Sequence, residues 1–235
     1  MIPIPLNDHI RRRSFWYVTL LLIAANFAAF FYELSLGRAL NRFILTFGLI
    51  PAHYASAGAL SPAKLAALVV SLFTSMFLHA GWLHILGNML FLFVFGRSVE
   101  DRFGHGGFFG IYFVSGLAAG LSQIVMDPAS SLPTIGASGA IAGILGTYLI
   151  SFPRARITTL LPLIIFFFTV QIPAILILGY WFLVQFVMGF QMLSIETASG
   201  AGVAWWAHVG GFLTGMILAL GLPVRRRRVV EVMRR

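Results

Sequence analysis

Apolar residues along this chain run in blocks too long and too continuous for the faces of a soluble fold. Phe15 to about Leu34 is the first block, roughly 20 mostly apolar residues, enough to cross a bilayer as a helix. Others run from about Gly81 to Ser98, from about Phe108 to Met126, and from near Ile135 to Phe152-Pro153. A fifth lies within Thr158 to Phe190. It is long and broken by Pro162 and Pro173, so part of it is expected in the membrane interface. The sixth covers about Val203 to Leu222 and stops at Pro223. The pattern predicts an all-α polytopic membrane protein with six transmembrane helices. Ser35 to about Ala80 departs from it, because Arg38, Arg42, Pro51, Pro62 and Lys64 interrupt every apolar stretch. A long, partly embedded first outer loop with short amphipathic helices is expected there, with Ala66 to Leu78 as a competing span. The basic start before the first block resembles a signal peptide, but the block is too long for an h-region and more spans follow.

Polar residues punctuate the blocks. Gly104-His105-Gly106-Gly107, Asp127 to Pro133 and Gln191 to Gly202 read as loops. With six spans both termini share one side, and thirteen of the sixteen Lys and Arg residues fall there; Arg38, Arg42 and Lys64 fall on the other. The positive-inside rule makes the first side cytoplasmic. Five or seven spans would separate the two terminal basic clusters. The expected organisation is a cytoplasmic basic tail (1–14), one membrane domain (15–222) and a second cytoplasmic basic tail (223–235).

Composition agrees: 59% of residues are hydrophobic, 10% are charged, and the mean hydropathy is +0.92. The net charge of +9 sits in short runs at the ends of apolar blocks, so it reads as a topology signal and not as a nucleic-acid surface. Cysteine is absent, which excludes disulfides, a thiolate nucleophile and thiolate metal ligands.

Spans two, four and six all run inward, and each carries polar residues near its start: His84 and Asn88, Ser138, and His208. At 1.5 Å per residue these groups lie within roughly 10 Å of the outer edge of the hydrocarbon. Polar side chains inside a bilayer are costly and mark function. Ser138 opens a run in which Gly136, Gly139, Gly143 and Gly146 recur every three or four residues, a seam that lets another backbone approach. Gly211 and Gly215 form a matching seam after His208. Packing one seam on the other would bring Ser138 within reach of His208. A serine at a helix start, a histidine as its base, and His84, Asn88 and the Ser138 N–H as donors suit acyl transfer through an oxyanion. None of the seven acids lies inside spans two, four or six, so a Ser–His dyad is expected and not a triad.

Together these motifs resemble the rhomboid intramembrane serine proteases. The resemblance is carried by Gly136-Ala-Ser138-Gly139, by His84-Ile-Leu-Gly-Asn88 and by Ala207-His208-Val-Gly-Gly211-Phe-Leu-Thr-Gly215. It extends to Glu100-Asp-Arg102-Phe-Gly104 and Phe77-Leu-His79-Ala-Gly81-Trp82-Leu-His84, in the family's order. It implies a compact rhomboid-like bundle that hydrolyses peptide bonds in or near membrane-spanning segments of other proteins. By it, Ser138 is the nucleophile, His208 the base, and His84, Asn88 and the Ser138 amide the oxyanion hole. Neither metal nor cofactor is implied, and nucleic acid is not a partner; membrane lipids and transmembrane substrates are. The implied location is a plasma (inner) membrane, with the site towards the outer side and span five as a lateral gate.

Two departures stand out. There is no Trp-Arg pair between Ser35 and Ala80, and the position of a tyrosine that stacks on the histidine in some members is Ala142. A neighbouring aromatic, Trp205 or Trp206, is the expected substitute. His79 is expected to be structural, and His9, His53 and His105 to be solvated. A zinc site from His84 and His208 lacks a third ligand. A catalytically inactive relative that binds membrane segments would be expected to lack the serine or the histidine. A six-span transporter would be expected to carry a midplane carboxylate or an inverted repeat.

Overall fold

The chain's computed structural model describes residues 4–55, 61–163, 166–193 and 203–225, and it is mostly helical. Its helices are α1 (Tyr17–Ser35), α2 (Leu40–Phe47), α3 (Pro51–Ala55), α4 (Pro62–Thr74), α5 (Trp82–Phe91), α6 (Arg97–Met126), α7 (Ser138–Ser151), α8 (Ala174–Leu193) and α9 (Trp205–Gly221). Among the described residues, α1, α8 and the continuous helical stretch Trp82–Met126 are long and apolar enough to cross a membrane. That last stretch has 45 residues. As one straight helix it would be about twice the thickness of a bilayer core. It is not straight: a π-turn at Leu92–Gly96 joins α5 to α6, and Gly104 leaves the helical region at φ 76°. The Phe108 ring lies against Gly96, so the chain folds back at Gly104.

The sequence around that turn is spent on holding the start of α1. Glu100 is fully buried and accepts hydrogen bonds from Val18 N–H (2.9 Å), Thr19 N–H (2.8 Å) and Thr19 Oγ1 (2.6 Å). A carboxylate from another helix thereby caps the free donors of α1, whose own cap residue, Trp16, contributes no side-chain bond. Asp101 takes Arg13 N–H, Ser14 N–H and Ser14 Oγ through one oxygen. Arg102 stacks over the Phe152 ring at 5.2 Å.

α7 and α9 lie at the centre, packed along the two glycine seams. A Cβ at Gly211 would overlap the carbonyl of Gly139, and one at Gly215 would overlap the backbone of Gly143. One at Gly146 would overlap the carbonyl of Phe212. Thr147 Oγ1 donates to the Gly215 carbonyl at 2.9 Å across the same contact. On its other side α7 meets α6, where Gly139 faces Ala119 and Gly143 faces Ser115. The largest buried side chains, among them Tyr112, Tyr148, Phe95 and Phe108, fill the space around these three helices.

The first loop contains the short helices α2, α3 and α4. Over Ala66 to Leu78, the competing span of the sequence, α4 has 13 residues, ends at Thr74, and passes through a 3-10 turn (Ser75–Phe77) into extended Leu78.

The fifth apolar block needs correction. Its first half is not part of a membrane helix but an antiparallel hairpin, β2 (Arg156–Leu163) and β3 (Phe166–Pro173), joined by β1 (Ile4–Asn7) in the order β1-β2-β3. Thr, Ile, Val and Phe favour strands here, and the two prolines would break a helix. Pro162 is tolerated because β1 pairs with β2 only as far as Leu160. The helix begins immediately after Pro173, with its first N–H groups at Ala174 and Ile175 bonded to the carbonyls of Ala155 and Pro153. The sheet also draws in the expected N-terminal tail: buried Asp8 pairs with Arg12 and accepts from Ser98 Oγ and Tyr148 Oη. Most of the expected Gln191 to Gly202 loop, and the basic run after Arg225, lie outside the described residues.

Candidate active site

Ser138 begins α7 because of what precedes it. Thr134 bridges to Leu49 through both backbone groups, Gly136 N–H donates to the Ser75 carbonyl at 2.8 Å, and Gly136 turns at φ 122°. An L-residue strains in that conformation, and a Cβ there would sit 2.7 Å from His84 Nε2, so Gly136, expected in the helix-packing seam, instead lies before α7 and serves the turn. His208 lies in the first turn of α9, whose start is held by Gln123 Oε1 accepting from Ala207 N–H at 3.3 Å. That amide supplies the cap that Ala204 lacks.

The glycine seam then sets the distance. His208 Nε2 is 2.8 Å from Ser138 Oγ, and both side chains are half-buried. His208 Nδ1 is 2.7 Å from Gln185 Oε1 on α8. The ring facing the imidazole is Trp181, one turn before Gln185, with centroids 5.7 Å apart. Of the two aromatics expected to take the tyrosine's place, Trp205 meets His208 edge-on at 6.5 Å and Trp206 packs on Phe186 instead. Ala142 is fully buried. Neither Trp181 nor Gln185 was singled out in the sequence. Their i, i+4 spacing in an apolar helix was the available signal.

His84 and Asn88 sit on one face of α5 beside Gly136. His84 Nδ1 accepts Ala80 N–H at 3.4 Å, which leaves Nε2 as the N–H donor next to the start of α7. Asn88 Nδ2 donates to His79 Nε2 at 3.0 Å, and His79 Nδ1–H donates to the Phe77 carbonyl at 3.1 Å. His79 is therefore structural in a specific sense: it holds the Asn88 amide. Burial pushes the His79 imidazole down to about 4, His84 adds to the shift and the Phe77 bond opposes it, so the ring stays neutral and accepts. The backbone N–H of His79 donates to the buried carboxylate of Glu33 in α1.

Ser138, His208, His84, Asn88, Gly136 and Trp181 all line one cavity of about 440 Å³. His9 bonds to Thr158 and His105 to Glu100, both away from it. Among the described residues, no three His, Cys, Asp or Glu side chains converge to hold a metal ion.

Fold and site define a helical membrane protein in which a serine and a histidine meet at the head of two closely packed helices. The Rhomboid domain family model matches residues 66–225, and the chain belongs to the rhomboid family. It is 31% identical over 157 residues to Rhomboid protein 1, mitochondrial, of Saccharomyces cerevisiae, covering 63% of this chain and 40% of that protein. It is 30% identical over 155 residues to Rhomboid protease GluP of Bacillus subtilis, covering 65% and 26%. It is 32% identical over 148 residues to Rhomboid-related protein 2 of Mus musculus, covering 60% and 44%. The alignments thus span less than half the length of these relatives.

Proposed function

We propose that this chain is an intramembrane serine endopeptidase that hydrolyses peptide bonds in or near transmembrane segments of other membrane proteins. The observation that carries the reading is the 2.8 Å contact between Ser138 Oγ and His208 Nε2 at the wall of the cavity. His208 takes the hydroxyl proton as Ser138 attacks the scissile carbonyl, then returns it to the leaving amine. The Ser138 N–H, His84 Nε2–H and the Asn88 amide receive the developing oxyanion. Donors of this kind are each worth about 3–4 kcal/mol in the transition state. Water then releases the acyl-enzyme by the same route in reverse order.

In this reading six segments cross the membrane: α1, the two arms of the Trp82–Met126 hairpin, α7, α8 and α9. α7 and α9, at 14 and 17 residues, are shorter than a bilayer core. Their polar starts then sit below the outer surface, where water enters through the cavity. The distribution of basic residues supports a topology with both termini in the cytoplasm and the chain in a plasma membrane.

The test is labelling of the purified protein by a fluorophosphonate together with cleavage of a single-span reporter substrate. Both are expected in the wild type and neither in Ser138→Ala or His208→Ala. Cleavage that survives Ser138→Ala removes the proposal, and a wild type that neither labels nor cleaves favours an inactive, segment-binding protein.

A further inference from the structure

His208 is held from both sides of its ring, and the second hold comes from a helix that carries neither member of the pair. Gln185 projects from α8, is only 6% exposed, and directs Oε1 to within 2.7 Å of His208 Nδ1. We propose that Gln185 is the positioning residue of this site: its amide oxygen accepts Nδ1–H and thereby keeps Nε2 unprotonated and aimed at Ser138 Oγ. The proposal rests on the reading of Ser138 and His208 as nucleophile and base.

A neutral imidazole carries one proton, and its place follows from the partner of the other nitrogen. An acceptor at Nδ1 fixes the proton there, and the Nε2 lone pair then faces the serine hydroxyl. With the amide reversed, NH2 would face Nδ1, the proton would move to Nε2, and the serine would have no base. The buried carboxylates are committed elsewhere, Glu33 to His79 N–H, Asp8 to Ser98 and Tyr148, Glu100 to Thr19, and the partner of His208 Nδ1 is Gln185 and not Asp127, the acid that lines the cavity. An amide therefore stands where other serine hydrolases use an acid.

Its neighbours keep it in register. Trp181, one turn away on the same face, covers the imidazole, and Phe182 stacks on Phe212 of α9 with centroids 4.7 Å apart. α8 belongs to the catalytic arrangement as much as to the wall. If α8 parts from α9, the amide leaves with it and the imidazole is free to rotate.

The experiment uses the full-length protein and reads the rate of fluorophosphonate labelling, kcat and KM on the reporter substrate, and the unfolding midpoint. Gln185→Leu preserves size and suits an apolar helix; it is expected to lower labelling and kcat by about 100-fold with KM unchanged, the cost of a misplaced base. Gln185→Glu keeps an acceptor oxygen on an arm of equal length and is expected to retain most of both rates. Gln185→Asn shortens the arm and should fall with the leucine variant. A merely structural role gives the opposite order, with leucine tolerated and buried glutamate destabilising. A folded Gln185→Leu protein with wild-type rates overturns the proposal, as does glutamate no better than leucine. If the leucine variant does not fold, asparagine against glutamate decides by the same two rates. A wild type without labelling or cleavage overturns the underlying reading as well, and is a distinct result.

Discussion

Gly215→Ala adds a single methyl group, the smallest change the α7–α9 seam can receive. The new Cβ would overlap the carbonyl oxygen, carbonyl carbon and Cα of Gly143. All three are backbone atoms, so no side chain can rotate out of the way. Non-bonded carbon contacts settle near about 3.5–4 Å, and restoring them requires the helices to part by about 1 Å or more. His208 lies two turns before Gly215 on α9, and Ser138 lies five residues before Gly143 on α7. The displacement therefore reaches the 2.8 Å contact and takes it out of hydrogen-bonding range. Misplacement of that size costs about 10²-fold in rate, and overpacking costs about 1–3 kcal/mol. The Thr147 bond to Gly215 weakens too, worth about 0.6 kcal/mol in a membrane. The assay pairs the unfolding midpoint with the fluorophosphonate labelling rate. Gly110→Ala is the control, because a Cβ there meets open space. It should gain about 0.8–1 kcal/mol of helix propensity and keep its labelling. A Gly215→Ala protein that matches the wild type in both measurements refutes the claim that backbone contact between these helices sets the site.

Three further outcomes rest on contacts elsewhere in the fold. Glu100→Ala removes the carboxylate that caps α1 and should lower stability by about 1–3 kcal/mol, read from the unfolding midpoint; an unchanged midpoint would deny the cap its role. Asp8→Ala leaves Arg12, Ser98 and Tyr148 without their shared acceptor. A loss of about 3 kcal/mol is expected, and Asp8→Asn should recover part of it. The absence of cysteine makes topology directly testable: Ser61 and Arg154 are both exposed. Ser61→Cys should react with an impermeant maleimide from outside intact cells, and Arg154→Cys only after permeabilisation. The reverse pattern would invert the proposed orientation. Ser98 is fully buried, so a cysteine there would stay silent from either side.

The parts of this molecule that sequence reasoning reaches are those in which one residue type has one physical use. Glycines three or four apart in an apolar helix have little purpose except close packing, and Gly139, Gly143, Gly211 and Gly215 pack as that periodicity requires. Polar residues at the heads of apolar blocks are costly without partners, and Ser138 and His208 are partners. The hairpin at 156–173 escaped because an apolar strand and an apolar helix share a composition. What distinguishes it is strand pairing, of β2 with β3 and of β2 with Ile4–Asn7 some hundred and fifty positions away, which hydropathy along the chain does not register. Gln185 escaped for a related reason: one amide in a long apolar helix says nothing about its rotation until α8 is docked on α9 by Phe182 and Phe212.

The two histidines beside the cavity make the more general case. His84 and His208 are the same residue in the same apolar surroundings, yet they present opposite chemistry to the space between them. His84 accepts a backbone N–H at Nδ1, so its proton resides on Nε2 and it can only donate there. His208 meets an amide oxygen at Nδ1, so its Nε2 is bare and can only accept. On the proposed reading, a base and an oxyanion donor are thus distinguished by one atom on the far side of each ring, the Ala80 nitrogen in one case and Gln185 Oε1 in the other. Exchanging the character of those two contacts would leave every residue of the site in place and its chemistry reversed. In the proposed reaction, the identity of the groups behind the imidazoles, more than the imidazoles themselves, decides which one takes the proton from Ser138.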